Sequence, residues 1–220
     1  MHNINIYLCR HGQSEGNTVD PDVIGQPANS PLTKMGEEQA KLLGQRFAKE
    51  GIKFDKCHSS SFIRAAETAK IVMSEVGHKD PLHLYNELVE YNPGSWRGKV
   101  RAEVFSDIIN LKKVAVGNMG FKFPDGESLH QTERRASTWM EKEIIYNEQV
   151  LSIAEKRKQN FLVVSHGMTI RCILHYVMGF DTSFIWNINI ENTQITHLKF
   201  GDRGFYLNSL NDIGHLQGMR

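Results

Sequence analysis

The chain has 220 residues, 40% of them hydrophobic and 23% charged, with 26 Lys and Arg against 25 Asp and Glu. That length and balance suit one ordinary globular domain and give no global charge argument for a nucleic-acid or membrane-surface partner. The three cysteines, Cys9, Cys57 and Cys172, form no CxxC pair, so they read as small buried residues in a reducing compartment, not as a disulfide framework or a zinc site.

The N-terminus, Met1 to Arg10, lacks a basic n-region and a long apolar run, and reads as a strand and not a signal peptide. No later segment is long enough to span a bilayer, so a cytoplasmic protein is expected. Ile4 to Cys9 forms the first predicted strand and stops at Arg10-His11-Gly12. Thr33 is placed to cap a helix whose apolar positions are Ala40, Leu43, Gly44 and Phe47, with Glu37 and Glu38 near its positive end. Phe54 to His58 is a second strand, and a helix follows from about Phe62 through Ala65, Ala69 and Val72. Leu82 to Tyr85 is a third strand, and a helix is expected over Val100 to Val116. A long helix opened by Gly126-Glu127-Ser128 carries an apolar stripe from Leu129 to Ala154. Phe161 to Val164 is a buried strand that ends at Ser165-His166-Gly167, and a helix then runs to about Met178. Ile195 to Phe200 and Phe205 to Leu210 form a terminal hairpin around Gly201-Asp202-Arg203-Gly204. Strands alternating with helices predict an α/β fold, a three-layer α/β/α sandwich with a mostly parallel sheet. Residues 1–220 read as a single domain with a lid-like excursion at about 97–125.

Two predicted strands share one ending, Arg10-His11-Gly12 and Ser165-His166-Gly167. Ligands in open α/β sheets bind outside the carboxyl ends of strands, where the two histidines can meet. Glycine after each lets a ligand approach the backbone and leaves an N–H for an anion. A single His-Gly pair is more often structural; two at strand ends point to chemistry.

Arg10-His11-Gly12-Gln13-Ser14-Glu15-Gly16-Asn17 resembles the RHG signature of the histidine phosphatases and cofactor-dependent phosphoglycerate mutases. The likeness continues in order through Gly25-Gln26, Pro31-Leu32-Thr33, Ser60 with Arg64-Ala65 and Thr68, and Leu88-Val89-Glu90 with Gly94, Trp96 and Gly98. Gly126-Glu127-Ser128, Ser165-His166-Gly167 and Leu210-Asn211-Asp212 with His215-Leu216 complete it. The resemblance implies a phosphoglycerate-mutase-like fold and a phosphohistidine enzyme acting on a small phosphomonoester. It makes His11 the nucleophile, and it assigns Arg10, Asn17, Arg64, His166 and Gly167 to the phosphoryl group and Gly25 to the substrate loop. Its acid position falls on Glu90, with Glu87 as the competing carboxylate.

The residue chemistry agrees with those roles. Phosphoryl transfer needs positioning and charge neutralisation, arginine suits phosphate oxygens, and a neutral imidazole is a nucleophile near pH 7. One carboxyl group can protonate the leaving oxygen and then take a proton from water. No metal or cofactor is expected, because the cationic pocket does the work of Mg²⁺ and the chain lacks an HExxH motif or a carboxylate cluster. Helix N-termini after Ser60 and Gly167 are expected to aim amides at the anion. Arg97 and Pro93 depart from the residues common in the family.

Three functions remain open: phosphatase, phosphoglycerate mutase and non-catalytic phospho-ligand binder. Residues 99–123 lack the Arg-Arg-Ser-Tyr element of the mutases, which favours water as acceptor, while Arg134-Arg135 and Trp139 keep the mutase alternative open. The basic residues from Arg97 to Lys122, Lys112 and Lys113 among them, are either a solvated face or a lid attracting substrates with a second anionic group.

Overall fold

The computed structural model describes residues 3–18, 22–27, 29–107, 109–110, 112 and 118–219. Lys113 and the expected helix end at Val116 lie outside the described residues. The strands are β1 (Ile4–Arg10), β2 (Lys56–Ser60), β3 (His83–Tyr85), β4 (Gln159–Ser165), β5 (Ile195–Gly201) and β6 (Gly204–Asp212), in the sheet order β3-β2-β4-β1-β5-β6. β1, β4, β2 and β3 pair in parallel, while β5 and β6 add an antiparallel edge hairpin. The helices are α1 (Glu15–Thr18), α2 (Lys34–Lys49), α3 (Ile63–Glu75), α4 (Arg101–Ser106), α5 (Leu129–Met140), α6 (Glu148–Ala154) and α7 (Gly167–Met178).

Strand periodicity builds the layers. Ile4, Ile6 and Leu8 of β1 and Phe161 and Val163 of β4 pack with residues of α5 and α7 on one face. Tyr7 and Cys9 of β1 and Leu162 and Val164 of β4 pack with Leu43 and Phe47 of α2 and Ala65, Ala69 and Val72 of α3 on the other. A strand buried on both faces therefore reads as a continuous apolar run, which is why β4 was conspicuous in the sequence. The expected mixed, mainly parallel sheet between helical layers is what the structure shows.

Several expectations are borne out in detail. Thr33 caps α2, its hydroxyl accepting from Gly36 N–H at 3.1 Å. The three cysteines are buried, and burial raises each thiol pKa. Other boundaries differ. The second strand starts at Lys56, not Phe54. The long helix expected to Ala154 is divided: α5 ends at Met140, one π-helical segment spans Glu141–Ile145, and Asn147 caps a new helix by accepting from Gln149 and Val150 amides. A strong N-cap residue inside an apolar stripe stops the helix that periodicity alone would continue. The helix expected from Val100 is interrupted after Ser106, where Asp107 adopts an extended backbone and its carboxylate accepts from Ile109 N–H; Ile109, Asn110 and Lys112 are helical again.

The excursion is pinned at its base. Gly94 has φ +56°, and a Cβ there would lie 1.9 Å from the Pro124 carbonyl oxygen; one on Gly126 would lie 2.3 Å from Asn92 O. Only glycine permits that approach. Beyond the base, Ile24, Trp96, Val104 and Phe123 form a small apolar cluster of their own.

Candidate active site

Register brings the two His-Gly ends together. Cys9 pairs with Val164 and Arg10 with Ser165 in the parallel β1–β4 ladder, and His11 N–H donates to Ser165 O at 3.0 Å. His11 and His166 therefore leave the sheet at one level, with ring centroids 5.1 Å apart. A cleft of about 280 Å³ opens beside them, lined by Arg10, His11, Asn17, Gly25, Arg64 and Glu90, together with Val23, Gln26 and Tyr91.

His11 is 2% exposed. Its Nδ1 lies 2.7 Å from Gly12 O. A carbonyl oxygen only accepts, so Nδ1 carries the proton and Nε2 carries the lone pair. That lone pair accepts from Arg64 Nε–H at 3.1 Å. Burial, then Arg10 and Arg64, holds the imidazole pKa well below its ordinary value, so the ring is neutral at pH 7. The combination is a neutral imidazole whose Nε2 lone pair faces a guanidinium, set among cations.

Arg64, on the first turn of α3, also donates to Pro27 O at 2.9 Å, and burial lowers its pKa to about 10, which leaves it charged. Arg10 donates to Ile190 O at 2.8 Å, while its buried Nε has no partner among the described residues. A buried guanidinium N–H without an acceptor calls for a ligand, and an anion satisfies it. Asn17 Oδ1 accepts from Ser14 N–H at 2.9 Å and from Ser14 Oγ at 3.1 Å. Those bonds fix the amide orientation and leave its NH₂ as the donor end.

His166, fully buried, caps α7 by backbone position, and its Nε2 hydrogen-bonds Ser60 Oγ at 2.8 Å. Its Nδ1 has no partner among the described residues. Burial, then His11, Arg64 and Arg10, keeps this ring neutral as well. Glu90 accepts from the amides of Met168 at 3.2 Å and Thr169 at 3.1 Å, and from Tyr91 N–H at 3.1 Å.

That geometry corrects two expectations. The α7 amides at Met168 and Thr169 serve the Glu90 carboxylate and are not left for an incoming anion. A carboxylate satisfies a helix N-terminus as a phosphate does, and here it is built in. Gly12 also keeps no free amide: its N–H donates to Thr68 Oγ1 at 3.0 Å, and a Cβ there would sit 2.4 Å from Gly36 O of α2. Gly12 is glycine because α2 packs against it. At Gly167 a Cβ would meet Arg10 no closer than 3.7 Å, so the substrate-free fold itself would accept a side chain. The two amides after Ser60 are likewise occupied, Ser61 N–H donating to Tyr85 O at 3.2 Å and Phe62 N–H to Ser60 Oγ at 3.2 Å.

Of the two competing carboxylates, Glu90 lines the cleft beside His11, while Glu87 lines a separate cleft with Trp139, Arg134 and Arg135. Arg135 is held there by Glu127, 2.9 Å away. Gly25 lines the first cleft with φ +70°. A Cβ on it would be 2.7 Å from Pro93 Cγ, so Pro93 and Gly25 fit as a pair. Arg97 donates to Gln26 O and, at 3.0 Å, to Asn92 Oδ1, tying the two rims together. The basic side chains Arg97, Lys99, Arg101, Lys112 and Lys122 are all exposed.

Sequence reading missed Tyr91, which lines the cleft and whose hydroxyl burial pushes up to about 12, and Asn192, whose Nδ2 donates to His11 O at 2.9 Å. Neither position carries a local signal; each arrives by tertiary folding. Among the described residues no group of three or more His, Cys, Asp or Glu is arranged to hold a metal, and no helix is long and apolar enough to cross a membrane.

Comparison with known proteins agrees with the fold. The chain is 29% identical over 214 residues to a protein of Hydrogenobacter thermophilus provisionally named phosphoserine phosphatase 2, covering 96% of each. It is 27% identical to a protein of Yersinia enterocolitica provisionally named phosphoglycerate mutase GpmB, covering 97% of this chain and 95% of that one. Among solved structures, an Entamoeba histolytica phosphoserine phosphatase mutant in complex with phosphoserine superposes with a TM-score of 0.75 at 25% identity, over 97% of this chain and 99% of that one. Residues 6–213 match the family model of the histidine phosphatase superfamily (branch 1), and the chain belongs to that superfamily.

Proposed function

We propose that the protein is a metal-independent phosphomonoester hydrolase working through a phosphohistidine at His11 Nε2. The observation that carries this reading is the tautomer of His11: Gly12 O holds the Nδ1 proton, so Nε2 offers its lone pair into a cleft lined by Arg10, Arg64 and Asn17. A substrate phosphoryl group displaces Arg64 Nε from Nε2 and takes the guanidinium on its oxygens. Nε2 attacks phosphorus, the bond to the leaving oxygen breaks, and the Glu90 carboxyl delivers the proton that oxygen needs. Water then gives a proton to the Glu90 carboxylate and attacks phosphorus. The N–P bond breaks, its electron pair returns to Nε2, and inorganic phosphate leaves. His166 and Asn17 hold the equatorial oxygens, and Gly167 lets them close on the backbone.

Water as acceptor is supported by Arg135, whose pairing with Glu127 commits it away from the His11 cleft. The exposed basic residues from Arg97 to Lys122 support a small metabolite with a second anionic group as substrate. Phosphoserine and 3-phosphoglycerate, which name the ligands of similar solved structures, belong to that class. Acid-labile, base-stable phosphate bound to the wild type after quenching, and absent from His11→Ala, is the expected result. No adduct from any phosphomonoester in a broad panel sinks the proposal. Release of phosphate without conversion of 3-phosphoglycerate to 2-phosphoglycerate separates hydrolase from mutase.

A further inference from the structure

The backbone of His11 is held from two sides, and only one of them is the sheet. Its N–H donates to Ser165 O of β4. Its carbonyl oxygen accepts from Asn192 Nδ2 at 2.9 Å and, at 3.4 Å, from Thr193 N–H, which also donates to Arg10 O at 3.1 Å. One turn thus grips the residues carrying the nucleophile and a phosphate arginine. Asn192 Nδ2 also lies 3.4 Å from Asn17 Oδ1.

That turn is built at a cost. Thr193 is fully buried with φ +55°, a left-handed conformation unusual for a β-branched residue. Such strain persists where surrounding structure enforces it. The enforcement is visible: Thr193 Oγ1 donates to Asn192 O at 2.8 Å and meets His215 Nε2 at 3.1 Å. Since the hydroxyl proton is spent on Asn192 O, His215 Nε2–H is the donor to Oγ1. The residue before Asn192, Glu191, donates its N–H to Asn211 Oδ1 at 2.8 Å, so the end of β6 and the segment after it anchor the turn.

We propose that Asn192 and Thr193 are positioning residues that fix the His11 backbone from behind, and with it the height of the ring and the reach of its Nδ1–H to Gly12 O, without touching substrate. This rests on the phosphohistidine reading for its kinetic consequence, and on geometry alone for its spectroscopic one. A displacement of the nucleophile by a fraction of an ångström costs rate far more than affinity.

The test compares wild type with Asn192→Ala and Asn192→Asp. Asp keeps the shape of Asn but puts an acceptor against the His11 carbonyl. With p-nitrophenyl phosphate, kcat is expected to fall about tenfold to a hundredfold in both variants. KM and inhibition by inorganic phosphate should stay within about threefold. Thr193→Ser, which keeps the amide and the hydroxyl, is expected to restore most activity relative to Thr193→Ala. Unchanged kcat, or a loss carried entirely by KM, overturns the proposal. ¹⁵N-histidine NMR supplies a readout independent of turnover: His11 should show one Nδ1–H tautomer in wild type and a broadened or mixed signal in Asn192→Ala. An identical His11 signal in both proteins overturns it as well. A wild type with no phosphatase activity counts against the functional reading alone, and the NMR comparison then decides this one.

Discussion

The ends of β1 and β4 begin alike and finish differently. Both are central parallel strands running into His-Gly, and both histidines are buried, neutral and 5.1 Å apart. After His11 the chain enters a loop, and the ring is oriented by its own neighbour, Gly12 O. After His166 the chain enters α7 at once, and the ring is bonded to Ser60 on a third strand. The first arrangement leaves an imidazole nitrogen facing Arg64 in the cleft; the second ties an imidazole to the scaffold. Under the proposed function, one motif then takes two roles, a group that forms a bond and a group that holds oxygens in place.

Substitution of each histidine tests that division. His11→Ala should abolish both turnover and the trapped adduct, a loss of at least about 10⁴-fold in kcat, since no nucleophile remains. His166→Ala should cost about 10²–10³-fold, the scale for removing one oriented donor, and still give a detectable adduct after long incubation. Equal, complete loss in both would erase the distinction drawn between the two strand ends.

Glu90 joins the two ends, since it lines the His11 cleft while accepting from the first turn of α7. Glu90→Gln is expected to lower kcat by about 10²–10³-fold on alkyl phosphates, whose leaving oxygen needs a proton. On p-nitrophenyl phosphate, a leaving group that departs unprotonated, phosphoenzyme formation should fall far less. Equal losses on the two substrates would assign Glu90 to capping α7 alone.

A third strand offers a control. His58 of β2 is 1% exposed, and both its ring nitrogens lack partners among the described residues. Burial, then His83 and Lys56, lowers its pKa to about 3, and burial takes His215 to about 4. A folded-state pKa below the unfolded value of about 6.5 means the unfolded chain binds more protons as pH falls. Stability is therefore full above about pH 6.5 and declines through pH 4 toward the folded value. Replacing His58 with Phe should flatten that acid limb by about 1.4 kcal/mol per pH unit between about pH 6 and about pH 4. Denaturant melts across pH read this directly, and an unchanged slope would show that His58 is not buried neutral. The smallest effect belongs to the exposed basic residues: Lys112→Gln should lower kcat/KM by about threefold for substrates with a second anionic group and leave p-nitrophenyl phosphate unchanged. Indifference of both classes would make the basic excursion a solvated face.

The sequence by itself determined the elements whose signals are local. Continuous apolar runs marked the two-faced strands β1 and β4, Thr33 marked the start of α2, and the glycine turn marked the β5–β6 hairpin. It also supplied the residues at the strand ends, His11 and His166, with Arg10, Arg64 and Glu90 in order along the chain. Tertiary structure alone decided their relations. The β1–β4 register sets the two rings side by side, and the fold gives the α7 amides to Glu90. α2, not a ligand, occupies the space beside Gly12, and a strained turn at Thr193 returns to the back of His11. Those outcomes depend on groups from 24 residues apart (Gly12 and Gly36) to 181 apart (His11 and Asn192) competing for the same donors and the same space, so no short window of sequence contains them.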